Sequence, residues 1–116
     1  MTSAAVETTT WELKTPVQIY LRDDLPHLAG HSQQISTQTI HIEIGVKLPL
    51  KSTITIEIYF PRDSVFDFME QDPLTLKAKV ENRTVAEDQK SWKVTLVFVE
   101  MTEEAVQKIL TEIKSL

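Results

Sequence analysis

A mainly β fold, roughly five to seven antiparallel strands followed by one C-terminal helix, is predicted by three observations. The first is the stretch 33–61. There Ile40, Ile42, Ile44 and Val46 alternate with His41, Glu43 and Gly45, and Ile54, Ile56, Ile58 and Phe60 alternate with Thr55, Glu57 and Tyr59. Strand side chains point to opposite faces in turn, so each run reads as a half-buried strand. Isoleucine and threonine suit a pleated surface and lose rotamer freedom in a helix. The two runs flank Leu48-Pro49-Leu50-Lys51-Ser52, a break that suggests they pair as a β-hairpin. The second observation is that the same alternation recurs at Val17–Leu21, Leu74–Val80 and Trp92–Phe98. The third is the C-terminal segment, whose apolar residues switch to helical spacing.

Taken in order, residues 1–10 are small, polar and Thr-rich without periodicity, and read as a flexible tail ahead of a single domain over 11–116. Val17, Ile19 and Leu21 form the first strand after Pro16, and Arg22-Asp23-Asp24-Leu25-Pro26 reads as a turn. A second strand takes in Gln33-Gln34-Ile35, and Gln34–Thr39 reads as a polar lead-in to the run at Ile40. Pro61 breaks the strand that ends at Phe60, because proline cannot donate to an interior ladder. Val65, Phe66, Phe68 and Met69 form an apolar cluster, either a short helical turn or a loop plugging one end of the sheet. After the strand Leu74–Val80, residues 81–90 read as a charged connection. Val97 and Val99 make the last strand apolar on both faces, so its second side needs cover.

The helix over 102–116 is the natural cover. Thr102 suits an N-cap, and Glu103 and Glu104 sit where the helix dipole favours negative charge. Val106, Ile109, Leu110, Ile113 and Leu116 share one face, expected to dock on Val97 and Val99 or to meet a partner. A helix of about 14 residues is marginal alone in water, so it must dock or pair. A small barrel or a sandwich would accommodate these elements equally well.

Composition narrows the function. The chain has 116 residues, 41% of them hydrophobic and 25% charged, which fits one globular domain with a real core. The absence of cysteine excludes disulfides and thiol chemistry. The N-terminus lacks the basic start and apolar core of a secretory signal, and no apolar run reaches the roughly 20 residues of a membrane span, so a cytoplasmic protein is expected. A net charge of -5 with scattered basic residues argues against broad nucleic-acid binding. Neither a dinucleotide fingerprint nor a P-loop is present. His27 and His31 lack a third ligand at useful spacing, no serine sits in a nucleophile elbow, and the pairs Asp23-Asp24 and Glu103-Glu104 have structural reasons to be where they are. No metal and no enzyme is expected. Tyr20 and Tyr59 on outer strand faces offer at most a stacking surface.

The order of pieces carries a resemblance. Lys14-Thr15-Pro16-Val17-Gln18-Ile19, then Gln34–Ile40, the Leu-Pro-Leu-Lys break, Ile58-Tyr59-Phe60-Pro61, Leu76–Val80 and Val94–Glu104 together resemble the PilZ domain family over about residues 10–116. The resemblance implies a six-stranded antiparallel β-barrel followed by a C-terminal α-helix. It also implies a bacterial signalling role, since PilZ domains typically bind cyclic di-GMP through RxxxR before the first strand and [D/N]xSxxG at a later one. Arginine presents a planar fork to phosphate and guanine that lysine cannot copy. Aligned on Pro16-Val17, the arginine positions fall near Thr10 and Lys14, and the second motif falls on Gln34, Ser36 and Thr39, with only Ser36 matching. Losing two charge-assisted grips of roughly 1.5–3 kcal/mol each weakens binding by orders of magnitude.

The expectation is therefore an atypical PilZ-like adaptor in control of motility, pili or exopolysaccharide, acting by protein–protein contact with weak or no cyclic di-GMP binding. Val65, Phe66, Phe68, Met69, Ile109, Ile113 and Leu116 are the expected contacts for a protein partner. The rival is a receptor for cyclic di-GMP or another nucleotide, held by Lys14, Arg22, Gln34, Ser36 and Thr39. A third reading is a homo-oligomer paired through the C-terminal helix. No nucleic acid and no membrane insertion are expected.

Overall fold

The apolar faces read from the alternation become the inner lining of a closed barrel. The structure, a computed structural model, describes residues 9–116. Of the tail expected over 1–10, only Thr9 and Thr10 fall among the described residues, and both are exposed. The elements are β1 (Trp11–Glu12), β2 (Pro16–Tyr20), β3 (Leu28–Ile35), β4 (Thr39–Ile44), β5 (Thr53–Ile58), α1 (Val65–Glu70), β6 (Leu74–Val85), β7 (Trp92–Val99) and α2 (Glu103–Lys114). Six strands run around the barrel in the order β3-β2-β5-β6-β7-β4, every pair is antiparallel, and β3 pairs with β4 to close the ring. Closure pairs the six strands around a ring, which separates this solution from a sandwich. The fold is a six-stranded antiparallel barrel with a C-terminal helix, as the resemblance implied.

β1 pairs only with the end of β3, so β1 and β2 act as one strand interrupted before Pro16. Pro16 has no N–H to give, and Ser32 repairs the break. Its buried hydroxyl accepts from the Thr15 N–H at 3.0 Å and donates to the Leu13 carbonyl. The Thr15 hydroxyl in turn donates to the Tyr59 carbonyl.

Three expectations are corrected. The runs around Leu48–Ser52 do not pair as a hairpin: β4 lies between β3 and β7, and β5 lies between β2 and β6. The intervening segment crosses the barrel end because its own chemistry holds it there. Leu48 is fully buried, the Arg83 guanidinium donates to the Leu48 carbonyl at 2.6 Å, and Lys51 takes a left-handed turn with φ of 68°. The Lys51 N–H then donates to the Val80 carbonyl, and the Val80 N–H to the Ser52 carbonyl, which hands the chain to β6. Val46, placed inside by alternation, is 43% exposed because β4 ends at Ile44. Residues 81–85 are not a connection. They continue β6 opposite Trp92–Thr95 after a register shift between Val80 and Asn82, and the four polar residues Glu81-Asn82-Arg83-Thr84 give no apolar alternation to read.

The helix α2 is capped by Thr102, whose hydroxyl accepts from the Ala105 N–H at 3.1 Å. Its buried residues are Ala105, Ile109 and Glu112, a line rotated from the predicted stripe. Ile109 is fully buried with the barrel core, Ile113 is partly buried against it, and Leu116 is 62% exposed beyond the helix. Ile109, expected as a partner contact, is thus part of the core. The rotated line carries an ion pair inward with Ala105 and Ile109. Glu112 is drawn in by Arg62, which grips both carboxylate oxygens at 2.8 and 2.7 Å, and by Lys108 at 3.0 Å. Burial pushes the Glu112 carboxyl up, but the hydrogen bonds from Arg62 and Lys108 outweigh it and hold the group below the ordinary glutamate range.

Candidate functional site

The residues that the resemblance maps onto a nucleotide site lie on the turn between β3 and β4 and its surroundings. Ser36 is fully buried there. Its hydroxyl accepts from the N–H groups of Gln38 at 3.1 Å and Thr39 at 2.9 Å and meets the Thr39 hydroxyl at 3.1 Å. This is a serine-stabilised turn, in which the side chain satisfies backbone donors that a tight connection would otherwise orphan. The Phe98 N–H donates to the Gln38 carbonyl at 2.9 Å, stitching the turn to β7. Thr39 is half-buried, and Gln34 is exposed between its strand partners Glu12 and His41.

Lys14 is exposed at the same end, in the break between β1 and β2. It shares a groove of about 380 Å³ with Pro61, Arg62 and Val65, but the Arg62 guanidinium is turned to Glu112. Arg22 stands apart. It follows β2 at the opposite end of the barrel and pairs with Asp24 at 2.7 Å, both side chains being exposed. The eight residues of β3 separate its end from that of Ser36, a span of roughly 26 Å at ~3.3 Å per residue. Lys14, Gln34, Ser36 and Thr39 are therefore grouped at one end, and Arg22 is not with them.

A polar cleft of about 300 Å³ opens on the neighbouring wall. Register aligns Gln34, His41, Thr95 and Asn82 in one row across β3, β4, β7 and β6, and Lys93 lies beside Glu43 and Thr84 in the next. The Thr95 hydroxyl and His41 Nδ1 are 3.1 Å apart. Register shifts in β3 and β6 flank the row on either side. Such a cleft offers hydrogen bonds and one ammonium, without the guanidinium fork that phosphate recognition favours. Alternation places His41, Lys93 and Thr95 outward, but only the strand pairing adds Gln34, Asn82 and Thr84 to them, so the sequence carried no signal of the cleft.

α1 is the third feature. It is a short helix rather than a plug, and none of its residues is buried. Val65, Phe66 and Met69 are 76%, 68% and 76% exposed. Phe68 is half-buried, its ring 6.1 Å from that of Tyr59. Ser64 caps the helix by accepting from the Asp67 N–H at 3.0 Å. At the other end the Gln71 amide accepts from the Phe60 N–H at 3.0 Å and donates to the Phe60 carbonyl at 2.8 Å. On the wall below, Tyr20 and Tyr59 point their hydroxyls at Glu57, 3.0 and 3.4 Å away. The Tyr20 hydroxyl is raised above the ordinary tyrosine range chiefly by that hydrogen bond, and the Tyr59 hydroxyl chiefly by burial. These tyrosines are bound into a network instead of forming an open stacking face.

Beside α2, a groove of about 630 Å³ runs between the helix and the wall, lined by Leu74, Leu76, Val99, Ala105 and Lys108. Among the described residues no three histidine, aspartate or glutamate side chains converge as a metal site, and no helix is long and apolar enough to cross a membrane.

No protein-family model matches the chain, and no curated protein matches it in sequence. Solved structures do. The chain is similar to the Bacillus subtilis inhibitor of motility (MotI/DgrA), with a TM-score of 0.70 at 16% identity over 92% of this chain. It spans about half of that protein, 48% of its length. It is also similar to the PilZ domain of YcgR from Escherichia coli, a structure with c-di-GMP, with a TM-score of 0.63 at 10% identity over 94% of this chain and 88% of that one. At these identities the likeness is one of fold, and the fold is PilZ-like.

Proposed function

We propose that this PilZ-like domain is a non-catalytic adaptor that acts by protein–protein contact, in cytoplasmic control of motility or a related surface behaviour linked to cyclic di-GMP. The observation that carries the reading is the state of the mapped nucleotide site. Its one matching side chain, Ser36, is buried and committed to the turn, and no arginine stands at Thr10 or Lys14. A hydroxyl already accepting two backbone N–H groups has little left for a guanine edge. The similar proteins support the setting: one is described as an inhibitor of motility, and the other is a PilZ domain holding c-di-GMP. Isothermal titration with cyclic di-GMP tests the proposal. No heat of binding is expected at micromolar concentrations, and a micromolar or tighter complex would overturn it.

The polar cleft favours one second reading, a receptor for cyclic di-GMP or another nucleotide with a rearranged site. In that case Gln34, with Lys14 and Thr39 close by, would work with His41, Thr95 and Lys93. Binding lowered by Lys14→Ala or Gln34→Ala would support it, and binding unchanged in both would count against it.

A further inference from the structure

We propose that α1 is the docking site for a basic amphipathic helix of the protein partner, an inference that rests on the adaptor reading and names its contact surface. A helix of six residues gains little stability by itself, and this one is held by its cap, by Gln71 and by Phe68. Val65, Phe66 and Met69 contribute nothing to that anchoring. They form an outward stripe, with Met69 three residues from Phe66 and four from Val65, so the three side chains adjoin. A fixed, exposed stripe of phenylalanine, methionine and valine is the surface that adaptable helix recognition uses.

The flanks supply sockets. On one side Pro16, Val17, Tyr59, Phe68 and Met69 line a groove of about 350 Å³, and on the other Pro61, Val65 and Phe68 line the groove shared with Lys14. Apolar anchors one helical turn apart on a partner would have a place on each side of Phe68. A strand is the wrong occupant, because β2 and β5, the strands beside α1, are each paired on both sides and offer no edge to extend.

Charge selects the partner's chemistry. Asp63, Asp67, Glu70 and Asp72 lie in α1 or within two residues of its ends and are exposed; the nearest guanidinium, Arg62, is already engaged by Glu112, which leaves Lys14 as the one ammonium lining the flanking groove. Four carboxylates around an apolar stripe favour lysine and arginine opposite them. They disfavour an anionic lipid surface. They also disfavour a second copy of this chain, whose net charge is -5 and whose matching patch is equally acidic.

The test uses the full chain and two labelled synthetic helices of about 18 residues, one patterned with leucine and lysine, the other with leucine and glutamate, read by fluorescence polarisation. The lysine helix is expected to bind and the glutamate helix not. Phe66→Ser and the pair Asp67→Lys with Glu70→Lys are each expected to weaken binding about tenfold or more, while Leu116→Ser leaves it unchanged. Absence of binding, equal binding of both helices, or binding indifferent to Phe66→Ser overturns the proposal. Two further outcomes reassign the surface and so overturn it: a dimer in sedimentation that Phe66→Ser dissolves, or cosedimentation with phosphatidylserine vesicles that Phe66→Ser abolishes. Cyclic di-GMP titration of the same chain separates the two claims. Nucleotide binding alongside intact helix binding sinks the ligand-free adaptor and leaves the docking site standing.

Discussion

α1 and α2 sit at the same end of the barrel, one after β5 and the other after β7, and they use their apolar residues in opposite ways. α2 sends Ala105 and Ile109 into the core and draws a carboxylate in after them. α1 buries nothing and leaves Val65, Phe66 and Met69 in solvent. Helical spacing of apolar residues therefore identifies an amphipathic face without saying whether the fold or a partner covers it. The difference lies in length and in what faces each helix. α2 is twice as long and meets Arg62, whose bidentate grip on Glu112 outlasts competition from water in a mostly buried setting. α1 is tied at its two ends by polar groups, so its apolar stripe is surplus to stability.

Substitutions sharpen that contrast. The largest effect is expected from Ile109→Ala, which leaves a cavity in the core and lowers unfolding free energy by about 2–5 kcal/mol; chemical denaturation measures it. Loss of less than about 1 kcal/mol would mean that α2 is not docked as described. Arg62→Ala is next, at about 1–3 kcal/mol, since it leaves a mostly buried carboxylate with the ammonium of Lys108 alone. The same carboxylate sets an acid limit. Its folded value lies below the unfolded one, so its contribution is complete at neutral pH. That contribution fades as pH drops under the ordinary glutamate value of about 4.3, and it is gone below the folded value. Midpoints measured from pH 7 down to 3 should fall more steeply in the parent than in Arg62→Ala.

Ser36→Ala ranks third, at about 1–2 kcal/mol, because two turn N–H groups lose their acceptor. Heat denaturation should register it while the cyclic di-GMP titration stays flat before and after. Phe66→Ser ranks last, within about 0.5 kcal/mol of the parent. A large destabilisation there would show that the α1 stripe belongs to the fold, and the comparison between the helices would collapse.

Much of the architecture was legible because strand periodicity is local. Val17 and Ile19, Ile40 to Ile44, Ile54 to Phe60, and Val94 to Phe98 each announce an inner face, and Thr102 announces the last helix. Pairing was less legible. The false hairpin between β4 and β5 came from reading nearness in sequence as nearness in space, when Leu48 and Lys51 carry the chain across the barrel end. Residues 81–85 were hidden because Glu81-Asn82-Arg83-Thr84 are polar without a break and the strand there is held by its pairing with β7, not by an apolar face. At the mapped nucleotide site the missing arginines were plain in the sequence. Only the fold gives Ser36 its work, since a hydroxyl looks the same in a motif and in a turn until its donors are placed.

The chain's own order of residues determined a mainly β protein with a terminal helix, because each face is written in the spacing of its side chains, while the β3–β4 pairing that makes it a barrel belongs to the tertiary structure. It also determined that the arginine fork of a nucleotide site is absent. Tertiary structure alone decided which strands meet, that Glu112 goes inward beside Ile109, and that α1 keeps its stripe in solvent. Those outcomes depend on contacts between residues far apart in the chain, where the energy of one group is set by a partner that no local pattern contains.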